Sequence, residues 1–152
     1  MRSVDPEDDR RIARHRQERM GWGFTTVEQS CDIKNIMQTC DPKGSFLLDS
    51  LTALLANEMF LPGNSVNEHA ANKIIDELSF VLNSIENIVV VSDYIYSDAI
   101  CYHPITENYR KSLAAIDKVT AEISEIVLEV SYTNVVVHKG REGFNAIHQK
   151  IM

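Results

Sequence analysis

The chain has 152 residues, 44% of them hydrophobic, which is enough for one packed core and too little for two domains of ordinary size. Its formal charge of -7 excludes a general nucleic-acid binder, because duplex binding needs a broad basic surface to neutralise phosphates. The three cysteines, Cys31, Cys40 and Cys101, form no CxxC pair and point to a reducing, cytoplasmic setting, and no apolar run approaches the ~20 residues needed to span a bilayer.

The first predicted element is a helix opened by Asp5-Pro6-Glu7-Asp8, with Asp5 as N-cap, Pro6 in the first turn and further carboxylates near the positive end of the dipole. It carries Arg10-Arg-Ile-Ala-Arg-His-Arg-Gln-Glu-Arg19. Between residues 7 and 19 only Ile12 and Ala13 are apolar, so burial does not account for the rest of its surface. Helical spacing sets Arg11 and Arg19 one turn either side of His15, with Arg14 and Arg16 flanking it in sequence. Guanidinium forks match phosphate oxygens, and such a cluster would gather a phosphate. Two readings of His15 stand at this point. Either the bases complement the helix dipole on a solvated face, or the surrounding cations keep the imidazole neutral and free to attack a phosphorus atom.

Met20-Gly-Trp-Gly-Phe24 then reads as a turn, Thr25-Thr-Val-Glu28 as a short strand and residues 32–39 as a second helix. Asp41-Pro-Lys-Gly44 is a turn, after which Phe46-Leu-Leu48 forms a short buried strand ending on Asp49, where open α/β sheets take their ligands. Leu51, Leu54, Leu55 and Met59 have helical spacing, closed by Pro62-Gly63. Asp49 either caps that helix or holds a hydrated magnesium ion beside nucleotide phosphates. Ala70, Ile74, Leu78, Val81, Leu82 and Ile85 mark a long helix that feeds Ile88-Val-Val-Val91, a β-branched run expected to be a strand buried on both faces. A helix between two strands implies a crossover and parallel pairing.

Residues 92–98 follow as a polar, aromatic loop at the ligand end of the sheet. Cys101-Tyr-His103 offers two metal-type ligands with no second pair, which suits a structural role better than a zinc site. Residues 106–125 form a helix on Tyr109, Leu113, Ile116 and Ile123, residues 126–130 and 135–137 two strands, and residues 141–152 a short helix with Phe144, Ile147 and Ile151 on one side.

Taken together, Arg11-Ile-Ala-Arg-His-Arg-Gln-Glu-Arg19, Thr26-Val-Glu28, Leu47-Leu-Asp49, Leu55-Ala-Asn-Glu-Met-Phe60, Val89-Val-Val-Ser92 and Val135-Val-Val-His-Lys-Gly140 follow one another in a telling order. In that order and spacing the chain resembles the bifunctional adenosylcobinamide kinase/adenosylcobinamide-phosphate guanylyltransferase family of cobalamin (vitamin B12) biosynthesis. The resemblance implies an α/β, three-layer P-loop NTPase-like fold with a mostly parallel sheet, usually in a trimer. It implies phosphorylation of adenosylcobinamide followed by transfer of GMP from GTP through a covalent histidine, which falls on His15. Arg16, Gln17, Glu18, Arg19, Glu28 and Asp49 match the nucleotide site, with Asp49 also toward magnesium through water. GTP, ATP and Mg2+ are the implied cofactors, and a guanine nucleotide and a corrinoid the implied ligands. The matching domain covers residues 1–140, and residues 141–152 form a helical tail.

The departures from the family are specific. Its opening strand and G-x-x-x-x-G-K-[ST] loop, which cradles phosphates, have no counterpart in these residues, so the chain is expected to begin at about the end of the family's second strand. Its Asn-Glu-Val-Gly after the Val89 strand is replaced by Asp93-Tyr-Ile-Tyr96, its late Gly-Ile-Pro by Thr133-Asn-Val135, and an asparagine of its late helix by Asp117. A missing inner strand would expose backbone donors and acceptors. The expectation is therefore self-association, pairing with a P-loop-bearing partner, or a truncated reading of a longer gene, with a catalytically inactive interaction subunit as the alternative to an enzyme.

Overall fold

The computed structural model of the protein describes residues 10, 13, 14, 17, 21–63 and 65–151. Its frame is a parallel pair of strands, β1 (Ser45–Asp49) and β4 (Asn87–Val91), in register from Ser45 opposite Asn87 to Asp49 opposite Val91. Parallel neighbours cannot be joined by a hairpin, and the crossover here runs through α1 (Leu51–Met59), the small antiparallel β2 (Phe60–Leu61) and β3 (Ser65–Val66), and α2 (Ala70–Ser84). Then come α3 (Pro104–Ile123), the antiparallel hairpin β5 (Val127–Ser131) and β6 (Asn134–Lys139), and α4 (Arg141–Ile151).

Strand alternation turns Phe46, Leu48, Ile88 and Val90 toward one core, which α1, α2 and α3 complete. The helical stripes read in the sequence are the buried faces. Leu51, Leu54, Leu55 and Met59 of α1, Ala70, Ile74, Leu78 and Val81 of α2, and Leu113 and Ile116 of α3 are all buried. Chain after the strands is stitched down as well: the Tyr109 hydroxyl donates to the Thr52 carbonyl at 2.8 Å, and the Asp93 amide donates to the Thr52 hydroxyl at 3.1 Å.

Several expectations need correction. Residues 25–28 are not a strand: no neighbouring strand pairs with them among the described residues, Val27 is exposed, and an extended run without a ladder is only loop. Over residues 32–39 the helix is a short 3-10 segment, Ile33–Gln38, entered through Asp32 at φ 52. Nor is β4 buried on both faces, since Val89 is 61% exposed and Leu47 and Val91 beside it are exposed too. Among the described residues, helices cover only the other face. The expectation of one mostly parallel sheet is met by the β1–β4 pair alone, because the other described strands form two separate antiparallel pairs. No helix among the described residues is long and apolar enough to cross a membrane.

Candidate functional site

The carboxyl ends of β1 and β4 lie side by side, so Asp49 and the segment that leaves Val91 share one end of the sheet. Asp49 is exposed and is not the helix cap: Ser50 is, its hydroxyl accepting from the Ala53 amide at 3.3 Å. The cap reading of Asp49 falls. An exposed carboxylate at a strand end, offering hard oxygen donors, suits a hydrated magnesium ion.

Residues 92–103 contain Asp93 and Asp98 and no lysine or arginine, and α3 holds them from below. Arg110 is the centre of that hold, being only 7% exposed although it carries a full charge. Its Nε donates to the Ile95 carbonyl at 3.2 Å and its Nη1 to the Ile100 carbonyl at 3.4 Å and to Glu107 Oε1 at 2.9 Å. Its Nη2 donates to the Asp98 carbonyl at 3.4 Å and to Asp98 Oδ1 at 2.8 Å. The guanidinium also lies 4.8 Å from the centre of the Tyr102 ring, whose hydroxyl donates to Asp98 Oδ2 at 3.0 Å. A buried charge is tolerable when its donors are answered this way, and here the acceptors belong to the loop.

A second clasp joins the loop to α3 further along. The Tyr96 hydroxyl donates to Asp117 Oδ2 at 2.9 Å, and the Tyr94 ring packs edge-on against Tyr96 at 4.7 Å. Burial pushes the Asp117 carboxyl above the usual aspartate range; the hydroxyls of Ser92 and Tyr96 pull it back, and Asp93 adds repulsion. Ser92 Oγ and Asp117 Oδ1 are buried without a well-aligned hydrogen bond. Burial, followed by Asp117, also raises the Tyr96 phenol, and Tyr109, pushed up chiefly by burial, reaches about 12. These phenols stay protonated and act as donors.

Of the residues expected to bind nucleotide, His15, Arg16, Glu18 and Arg19 lie outside the described residues, as does the helix start at Asp5. Gln17 is helical and exposed, as are Arg10 and Arg14. Glu28 is exposed in a segment anchored just beyond it: the Asp32 amide donates to Glu58 Oε1 at 2.7 Å and the Cys31 thiol lies 3.6 Å from the Asn57 carbonyl. That anchor is at the end of α1 remote from Asp49, roughly 12 Å along a helix of this length.

The same anchor contains the one group of three carboxylates among the described residues that could hold a metal, Asp32, Glu58 and Glu77, with ligand atoms within 4.8 Å of one another. Lys73 already serves it. Its Nζ lies 2.5 Å from Asp32 and 2.6 Å from Glu58, and although burial alone would lower its pKa, the two carboxylates raise it. The cluster is an ion pair that fastens residues 31 and 32 to α1 and α2. Elsewhere, a 2.9 Å hydrogen bond between His138 Nε2 and Glu129 clamps the hairpin, and His103 caps α3 by accepting from the Ile105 amide at 3.4 Å.

Arg110 and the Lys73–Glu58 pair were not read as functional from the sequence. The signal for Arg110 was present, since it lies three residues before Leu113 on the apolar stripe of α3, where a surface arginine has no place. Comparison with known proteins agrees with the order of motifs. No curated protein matches the chain. The profile of cobinamide kinase / cobinamide phosphate guanyltransferase matches residues 1–136, a span that runs from the arginine-rich segment through Asp49 and the clasped loop into β6. With nearly the whole chain inside one match, the protein belongs to the cobinamide kinase / cobinamide phosphate guanyltransferase family, a family of transferases in cobalamin biosynthesis.

Proposed function

We propose that this chain carries the guanylyltransferase chemistry of its family. The observation that supports this most is the match over residues 1–136, which includes the His15 segment and the strand ending on Asp49. In this reading a ring nitrogen of His15 attacks the α-phosphorus of GTP, a phosphorus–oxygen bond breaks and pyrophosphate leaves. An oxygen of the corrinoid phosphate then attacks the same phosphorus, the phosphorus–nitrogen bond breaks, and the imidazole is restored. Arg16, Gln17, Glu18 and Arg19, with Glu28, hold the guanine nucleotide. Asp49 is the residue here that would hold magnesium through water, and the ion, when bound, supplies neutralising charge beside the phosphates.

The fold expected with this function is a three-layer P-loop NTPase-like one, with residues 1–140 as its domain and residues 141–152 as a tail. The exposed outer face of Leu47, Val89 and Val91 and the edges of the β1–β4 pair, unpaired among the described residues, support a further strand and layer there, from a homotrimer or from a P-loop-bearing partner. These 152 residues contain no G-x-x-x-x-G-K-[ST] sequence, so ATP-dependent kinase activity would depend on a phosphate loop supplied alongside them. We place the activity in the cytoplasm, where GTP and reduced cysteines are both found.

A second reading, a catalytically inactive subunit that binds a partner, is favoured by the same exposed sheet face and by the bulky Asp93-Tyr-Ile-Tyr96 segment. Incubation with GTP labelled at the α-phosphate separates the two. The enzyme reading expects an acid-labile, alkali-stable label on the protein that His15→Ala removes. Absence of label in the presence of magnesium, or label that survives His15→Ala, would sink it.

A further inference from the structure

The loop clasped by Arg110 spends a buried charge on an unusual end: it keeps large apolar side chains in solvent. Tyr94 is 65% exposed and Ile100 59%, with Ile95 and Tyr102 also exposed, all within one segment at the carboxyl end of β4. Left to itself, such a segment would collapse onto the core or move freely. Instead Arg110 gives each of its hydrogen-bonding nitrogens to the loop or to Glu107, and Asp117 takes the Tyr96 hydroxyl at 2.9 Å. Surface held rigid before any ligand arrives is what a binding wall requires, since the ordering cost has been met in folding.

Charge then narrows the ligand. From residue 74 to residue 109 the sequence has no lysine or arginine, while Asp93, Asp98 and Glu107 lie in or against the wall. Arg110 has no donor to spare. A triphosphate would meet repulsion here and no fork to bind it, so the wall does not suit the nucleotide. It suits a large, flat ligand of neutral or positive charge with an apolar body and amide groups on its rim. Tyrosine serves both parts, offering a ring face and a hydroxyl.

We propose that residues 93–103 form a preset wall for the corrinoid substrate, with the exposed ring of Tyr94 in contact with the macrocycle and Arg110 and Asp117 acting as positioning residues behind it. The proposal rests on the family reading given above and adds to it the place where the corrinoid sits. Asp93-Tyr-Ile-Tyr96, a departure from the family pattern, becomes on this view a change in how the corrinoid is held.

The test is binding, with no turnover required. Cobinamide is titrated into the purified protein and followed by its visible absorbance and by equilibrium dialysis, and a fluorescent GTP analogue is titrated in parallel. Tyr94→Ala, a change at an exposed ring, is expected to weaken cobinamide binding about tenfold, the usual effect of losing one aromatic anchor, and to leave GTP binding within about twofold. Arg110→Lys keeps the charge but cannot reach the same acceptors. It is expected to weaken cobinamide similarly and to speed hydrogen exchange in residues 93–103, with exchange in α1 and α2 unchanged. Cobinamide binding that survives Tyr94→Ala overturns the proposal while leaving the family reading intact. So does loss of GTP binding alone, which would assign the wall to the nucleotide. A wild-type protein that binds neither ligand overturns both.

Discussion

Glu58 is the residue on which the attachment of the Glu28 segment depends, and its replacement tests that attachment directly. Its side chain is 7% exposed and accepts from the Lys73 ammonium at 2.6 Å and from the Asp32 amide at 2.7 Å. Breaking a buried pair typically costs 3–5 kcal/mol because a charge is left unanswered, but Lys73 keeps Asp32 at 2.5 Å and is itself 33% exposed. A cost below that range, about 2 kcal/mol, is therefore expected for Glu58→Gln, which retains one acceptor and loses the charge. Lys73→Met strands the buried carboxylate instead and should cost more, about 3 kcal/mol. In the double variant neither charge remains, so it should be no less stable than Lys73→Met, giving a coupling of at least about 2 kcal/mol. Urea unfolding reads these differences as midpoint shifts of roughly 1 M or more. Because the folded pKa of Lys73 is raised, its contribution is complete below 10.5 and is lost only as pH climbs through the folded value, so the costs should not change between pH 6 and 9. Three variants all within about 0.5 kcal/mol of wild type, or a midpoint that rises with added magnesium in the wild type and in Asp49→Asn but not in Glu58→Gln, would refute the ion-pair account and revive a metal role for Asp32, Glu58 and Glu77.

Asp117→Asn should stabilise the protein at pH 7. An acid whose folded pKa is raised binds an extra proton in the folded state, so its presence costs stability as pH rises above the ordinary value of 3.8; the gain in melting temperature should close as pH falls below that value. Gly140→Ala meets a backbone oxygen, since a Cβ at this φ of 75 would stand 2.3 Å from the Glu125 carbonyl. A loss of about 2–4 kcal/mol is expected, read as faster hydrogen exchange in the β5–β6 hairpin. Thr133→Gly relieves a β-branched residue at φ 70 in the hairpin turn and should stabilise by about 1 kcal/mol in the same urea assay. Asp49→Asn should weaken GTP binding several-fold in excess magnesium and not in its absence, and equal effects in both conditions would remove the magnesium role.

What the sequence made legible was periodicity. The helical stripes on α1, α2 and α3 and the strand ending on Asp49 are where spacing put them, because each must bury one apolar face. What it hid was anything decided by a neighbour. Thr25-Thr-Val-Glu28 has the composition of a strand, but a strand exists only beside another, and none adjoins it among the described residues. The β-branched run of β4 reports strand preference and says nothing about how many of its faces are covered, and Val89 is exposed. Asp49 and Ser50 are both good caps one residue apart, so only coordinates could choose Ser50. Arg110 is hidden because apolar spacing alone marks such a stripe, although a charged residue on it is the more informative one. His15, Arg16, Glu18 and Arg19 keep the standing the sequence gives them, since they lie outside the described residues.

Charge divides the proposed work between two parts of the chain. Six of the fifteen basic residues, Arg2, Arg10, Arg11, Arg14, Arg16 and Arg19, fall in the first nineteen positions, while positions 74–109 have none. Among the described residues the carboxyl ends of β1 and β4 and the loop beyond bring together Asp49, Asp93 and Asp98, and the cation held there, Arg110, has its donors taken by the loop and Glu107. By Coulomb's law alone such an end cannot be the main holder of a triphosphate. In the proposed reading, recognition of phosphate falls to the arginine-rich segment or to a partner, and a magnesium ion would let the strand end attract the same anion. The macrocycle of the corrinoid, unlike its phosphate, has no such requirement. The acidic, aromatic loop suits it as it stands, so the two ligands of one reaction can approach from sides of opposite charge without competing for the same groups.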